Sequence, residues 1–214
     1  MVITDEIAKQ AAVHLSAHDP VMAKLVERFG VCPLRPHHNF YQELVESIIG
    51  QQLSLSAARA ITVRFLGLFD GEFPEPQQIL DVPADELRHI GFSYRKAAYV
   101  QDLAQHVVNG RVRFDHLPAL SNQAIIAELT SVKGIGEWTV HMFLLFCMGR
   151  STVLPVGDLG IRNAIKVKYN IGHKPITSEI EAIATAGNWH PYESIAAWYL
   201  WQSLGNNPPS DVIP

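Results

Sequence analysis

Only two cysteines, Cys32 and Cys147, occur in the 214 residues, both in apolar surroundings. Two lone thiols make neither a disulfide framework nor a zinc or iron–sulfur cluster, so both are expected to be buried and reduced. A basic excess is missing too, since 17 Lys+Arg against 21 Asp+Glu leave a formal charge of −4. Nucleic-acid binders more often carry the opposite sign. Any phosphate contact must therefore come from a local patch or from backbone N–H groups at helix starts. No apolar run is long enough to span a bilayer, and MVITDEIAKQ lacks the basic-then-apolar pattern of a signal peptide. A soluble, intracellular protein without a membrane partner is expected. β-Hairpin signals, repeats and low-complexity tracts are also missing, and STVLPV is the one candidate extended segment.

What remains is helical text. Hydrophobic residues at 48% and charged residues at 18% argue against disorder, and the length suffices for one sizeable domain or two interleaved lobes. Apolar spacings of three and four recur in DEIAKQAAVHL, DPVMAKLVERFG, NFYQELVESIIGQQL and SLSAARAITVRFLGLF. Asp19-Pro20 and Ser54 mark helix starts, and Gly30 and Gly67 mark helix ends. EFPEP, from Glu72 to Pro76, breaks the periodicity as a linker. Short helices are predicted around Pro76–Leu80 and Ala84–Ile90, with a tight turn at Gly91-Phe92-Ser93 before SYRKAAYVQDLAQHVVNG. Helices are predicted over Asn122–Leu129 and Glu137–Met148, and three more from Asp158, Thr177 and His190. The whole reads as all-α. The expected organisation is residues 1–35 packing with a C-terminal lobe, a central helical domain over 36–150, and residues 151–214 completing the second lobe.

Chemistry concentrates in SVKGIGEWTVHMFLLF, Ser131 to Phe146. Gly134 and Gly136 sit one residue apart between two apolar helices. GIGEWT is not a dinucleotide fingerprint, because no strand precedes it and Thr139 stands where the third glycine belongs. Two readings stay open: a hairpin whose helix-start N–H groups seat a phosphate, helped by Lys133 and the Thr139 hydroxyl, or an αα-hairpin that merely uses glycine. Trp138, taken alone, reads as core. Asp158, in LPVGDLGIRNA, reads first as a helix N-cap. The return segment Arg150–Gly157 is long enough to bring it back beside the hairpin, where a carboxylate gains chemical meaning.

These segments, with IIGQQLS and LRHIGFSYRKAAYVQDLA upstream, resemble the helix–hairpin–helix DNA glycosylases. Within that superfamily the chain is similar to the alkylpurine type, 3-methyladenine DNA glycosylase II, from about Asp19 to Leu204. The resemblance implies two helical lobes with the active site in the cleft between them. It implies that Asp158 is catalytic and that Trp138 and Trp201 line the base pocket. Lys133, Gly134, Gly136 and Thr139 would contact DNA, and Gln52 would fill the gap left by a flipped nucleotide. The carbonyls of Thr130, Val132 and Ile135 would suit a structural Na+ or K+, with no cofactor required for the reaction.

Departures from the family pattern narrow the reading. Bifunctional relatives carry lysine where Trp138 stands, so a monofunctional enzyme is expected. Endonuclease III-like members have a four-cysteine cluster near the C-terminus, whereas no cysteine follows Cys147 here. Relatives with the longest architecture begin with a β-sheet domain, and the text here opens with a short helical segment. Gln52 departs from apolar wedges, and Met142 stands where some relatives have tyrosine. The expected partner is double-stranded DNA with alkylated bases, met by a monomer in a bacterial cytoplasm and nucleoid or a eukaryotic nucleus. The alternatives are a non-catalytic helix–hairpin–helix damage-recognition protein, a helical adaptor, and a glycosylase for mismatched or oxidised bases.

Overall fold

The computed structural model describes residues 1–205. Two compact units divide the described residues: 39–143 form one, and 1–38 with 144–205 form the other. Among the described residues there is no β-strand. One isolated antiparallel bridge joins Val2 to Arg150, flanked by Ile3 N–H to Gly149 O (2.6 Å) and Ser151 N–H to Met1 O (3.0 Å). The candidate extended segment STVLPV thus contributes only its first backbone group to that pairing.

The unit over residues 39–143 contains α3 (Phe40–Gly50), α4 (Leu55–Leu66), α5 (Pro76–Asp81), α6 (Ala84–His89), α7 (Tyr94–Val108), α8 (Asn122–Leu129) and α9 (Glu137–Met142). Helix α7 organises it, packing on α3, α5 and α6. Its buried stripe of Ala97, Val100, Leu103 and Ala104 keeps the three-and-four spacing of a single helix face. Ser54, Ser93 and Ser121 cap α4, α7 and α8 by accepting N–H bonds three residues on.

The other unit carries α1 (Asp5–His18), α2 (Pro20–Phe29), α10 (Leu159–Lys168), α11 (Thr177–Ala186) and α12 (Glu193–Gln202). Helix α12 is buried from Ser194 to Trp201, which places Trp198 and Tyr199 in the core as expected. It starts at Glu193 rather than His190. Pro191 disfavours helical backbone at the residue before it, and His190 Nδ1 instead bonds Glu193 Oε1 at 2.8 Å.

The predicted helix Glu137–Met148 is also interrupted. It is α-helical to Met142 and then widens into a π-helical turn over Phe143–Cys147. All five of those side chains are buried. Both cysteines are buried and neither is in a disulfide, and burial pushes the Cys32 thiol up to about 12.

A buried carboxylate ties the helices of this unit together. Asp19 Oδ1 caps α2 through the N–H groups of Val21 (2.8 Å) and Met22 (3.2 Å). Its Oδ2 accepts from Tyr169 Oη at 2.6 Å and from Trp189 Nε1 at 2.9 Å. Gly187 is required beside it, since a Cβ there would lie 2.6 Å from both Asp19 Oδ2 and the Trp189 nitrogen. Asp19→Ala removes the cap and leaves two buried donors without their acceptor. A loss of about 3–5 kcal/mol in unfolding free energy is expected from equilibrium denaturation.

Candidate active site and DNA-contacting hairpin

The carboxylate singled out in the sequence is held tightly. Asp158 is the N-cap of α10 and is half-buried. Its Oδ1 accepts from Ile161 N–H and from Trp201 Nε1, both at 2.8 Å. The loop leading to it is fixed by Asp158 N–H to Pro155 O (2.9 Å) and Arg162 Nε to Val156 O (3.0 Å). Trp201, from α12, is only 4% exposed. Its ring stacks on Phe146 with centroids 5.7 Å apart and planes 29° apart. The indole therefore orients the carboxylate, a role the sequence did not reveal.

Gly160 was equally silent. A Cβ there would approach Trp201 Cδ1 to 2.9 Å and Asp158 Oδ1 to 3.0 Å, so only glycine lets the indole reach the carboxylate. The available signal was a glycine in the first turn of a helix, where it costs conformational entropy and so implies a close approach.

The hairpin links α8 to α9 through residues 130–136. Buried Val132 and Ile135 anchor it, and Ile135 N–H donates to Val132 O at 3.2 Å. The two glycines turn out to serve different ends. Gly134 has φ +85°, and a Cβ on it would fall 2.1 Å from the Tyr99 ring of α7. Its missing side chain is thus demanded from inside the protein. Gly136 has ordinary backbone at φ −92°, no heavy atom within 4 Å of an added Cβ, and no side chain capping α9, which it begins. Nothing inside the protein asks for glycine there, so the open space suits a group approaching from outside.

Other predicted contacts shift. Thr139 is 7% exposed, on the inward face shared with Phe143 four residues on, so its hydroxyl is not on the outer side of the hairpin. Lys133 is exposed, but its ammonium lies 3.3 Å from Asp102 Oδ1 and its N–H donates to Oδ2 at 2.9 Å. Burial alone would raise the Asp102 carboxyl; the Lys133 bonds and His106 outweigh it and hold it below the usual range. Trp138 corrects the core reading, being 48% exposed in the first turn of α9. Gln52 is exposed too, at φ +59°, a left-handed conformation unusual outside glycine.

Thr130, Val132 and Ile135 offer neutral carbonyl oxygens. The Val132 oxygen has one lone pair engaged by Ile135 and a second in reserve. With no carboxylate among the three, the set suits a monovalent rather than a divalent cation.

His141, one turn after Trp138, lies 3.7 Å from Glu137 through Nε2. Burial lowers its pKa below the usual 6.5, against the opposing pull of Glu137. A histidine held neutral contributes stability above its unfolded pKa that is lost as pH falls below about 6.5. Denaturation midpoints of wild type should therefore drop more between pH 7.5 and 5.5 than those of His141→Leu.

Comparison with known proteins decides the family. The model of the HhH-GPD superfamily base excision DNA repair protein matches residues 45–187. The chain belongs to this superfamily. The HhH-GPD chain is 32% identical to alkylbase DNA glycosidase-like protein mag2 of Schizosaccharomyces pombe, over 92% of its own length and 94% of that relative. It is 34% identical to DNA-3-methyladenine glycosylase 1 of the same yeast, over 91% and 86% of the two chains. Among solved structures, 3-methyladenine DNA glycosylase Mag1 of Schizosaccharomyces pombe in complex with abasic DNA matches with a TM-score of 0.78 and 33% identity, covering 92% and 97%. A DNA-3-methyladenine glycosidase from Bacillus halodurans matches with a TM-score of 0.82 and 36% identity, covering 91% and 89%. The all-helical architecture is thus that of HhH-GPD glycosylases.

Proposed function

We propose that the protein is a monofunctional DNA glycosylase that removes alkylated purines of the 3-methyladenine and 7-methylguanine type from duplex DNA, starting base excision repair. One observation carries the reading: Asp158 is fixed by Ile161 N–H and the buried Trp201 indole, both at 2.8 Å, at the start of α10. A binding module has no use for a carboxylate so carefully oriented, because it repels phosphates.

The chemistry follows from charge. A base within the stack is out of reach, so the nucleotide is extruded at a cost of a few kcal/mol, less for a damaged pair. Gln52 fills the space it leaves, while the hairpin around Gly136 takes a backbone phosphate on N–H groups. The neutral carbonyls of Thr130, Val132 and Ile135 would hold a Na+ or K+, which would add positive potential there. An N3- or N7-alkylated purine is cationic and already a good leaving group. An aromatic face such as that of Trp138 favours the cation by about 1–2 kcal/mol. As the N-glycosidic bond breaks, positive charge grows on the deoxyribose, and Asp158 stabilises it and orients the attacking water. No lysine stands at position 138 to form a Schiff base, so the products are free base and an uncleaved abasic strand. The enzyme acts as a monomer inside the cell.

Incubation with methylated genomic DNA followed by chromatography of the small-molecule fraction tests this. Free 3-methyladenine and 7-methylguanine are expected above the spontaneous background. Retention of both in the polymer, despite DNA binding, would refute it.

A further inference from the structure

Helix α3 ends at Gly50, and four residues later Ser54 caps α4. The turn between them carries Gln52 in its left-handed conformation, closed by Leu53 N–H to Gly50 O at 3.1 Å. So short a connection has few internal bonds to hold an exposed side chain in one direction. Its bracing comes from elsewhere.

The first brace is Lys96 of α7, whose Nζ donates to Ile49 O at 2.6 Å. That carbonyl belongs to the last turn of α3, where a helix leaves oxygens without intrahelical partners and favours a cation. Burial lowers the Lys96 pKa by penalising the charged form. The same helix holds the hairpin through residues spaced by three. Tyr99 fits under Gly134, and Asp102 accepts the Lys133 N–H at 2.9 Å. Lys96, Tyr99 and Asp102 follow one side of α7 over successive turns. A second link joins the two elements directly: Gln51 Nε2 donates to Gly134 O at 2.8 Å, across 83 residues of sequence.

The geometry points to Gln51 as a positioning residue that registers the Gln52 turn against the hairpin, so that backbone grip and gap filling act as one rigid unit. This rests on the glycosylase reading. Gln51 is half-buried, and its bond to the Gly134 carbonyl draws on an amide donor that an apolar side chain of similar length lacks. Gln51 stands next to Gln52, so a loosened Gln51 changes the direction of its neighbour without touching the hairpin's own anchors, Val132 and Ile135. Misplacement of a positioning group by about 1 Å commonly costs up to about a hundredfold in rate.

The test is a double-mutant cycle of Gln51→Met, which is close in shape but has no donor, with Gln52→Ala. It is read by single-turnover base release from a duplex with one 7-methylguanine. Affinity for undamaged duplex and the denaturation midpoint are measured alongside. Gln51→Met is expected to slow release at saturating DNA by about tenfold to a hundredfold while binding undamaged duplex within about twofold of wild type. Combined with Gln52→Ala, it should add almost nothing to the loss caused by Gln52→Ala alone, because both act through one side chain. Losses that multiply would overturn the proposal, as would a Gln51→Met rate equal to wild type. A rate loss matched by a general loss of stability would assign Gln51 to folding alone and overturn it as well. Failure of wild type to release base would instead bring down the glycosylase reading, and this inference with it.

Discussion

Asp158→Asn is expected to lower single-turnover base release by about 10²–10³-fold while folding and duplex binding stay close to wild type. Asparagine keeps an amide oxygen where the carboxylate Oδ1 now accepts from Ile161 N–H and Trp201 Nε1. Asn and Asp are similarly good N-caps, so the start of α10 should survive. What asparagine lacks is the negative charge that answers the cation developing on the sugar. The comparison therefore separates the two uses of this residue. If Asp158 were only a cap, release by the variant would match wild type. If the charge is the catalyst, release falls and the denaturation midpoint stays put. Affinity for undamaged duplex should hold or rise slightly, since a negative charge has been removed.

The second large effect is a contrast between two glycines separated by one residue. Gly134→Ala places a Cβ 2.1 Å from the Tyr99 ring at a backbone φ of +85°, so two penalties combine. A left-handed alanine costs about 1–2 kcal/mol, and overpacking against an aromatic ring adds about 1–3 kcal/mol. A loss of about 2–5 kcal/mol in stability is expected, with DNA binding lost as the hairpin distorts. Gly136→Ala meets nothing within 4 Å at an ordinary φ of −92°. Its stability should stay within about 1 kcal/mol of wild type, because only a weak capping preference is lost. Duplex affinity should nonetheless fall about tenfold, since a methyl group then stands where a phosphate comes close to the N–H groups. Denaturation midpoints and equilibrium binding at one salt concentration read both effects. Full affinity in Gly136→Ala would remove the hairpin from the DNA interface.

Local signals made most of the helices legible. Asp19, Ser54 and Asp158 were legible as helix caps, because a short polar side chain followed by apolar periodicity marks a helix start. The start of α12 was misplaced because periodicity extends through Pro191, whose backbone constraint wins. The π-helical turn at Phe143–Cys147 was hidden for the opposite reason: a run apolar on every side carries no phase from which a change of helical pitch can be read.

The candidate site was legible by residue type more than by role. Asp158 was found as a cap, and the cap is real. The indole donor that turns it into an oriented carboxylate comes from Trp201, 43 positions away in sequence. No spacing rule reaches that far. Taken alone, Trp138 reads as core because the run after it, TVHMFLLFCM, is apolar on nearly every side, whereas in the first turn of α9 it is exposed. Gly134 and Gly136 looked alike in the text, and only the Tyr99 ring beneath one of them tells them apart.

The most direct measurement follows a duplex bearing a single 7-methylguanine through one turnover of wild-type protein, each time point being divided and half treated with alkali. The account predicts that free base and alkali-labile strand appear together at one rate, with no cleavage in the untreated half. Strand cleavage without alkali would contradict the monofunctional mechanism, and tight binding without release of base would contradict the glycosylase itself.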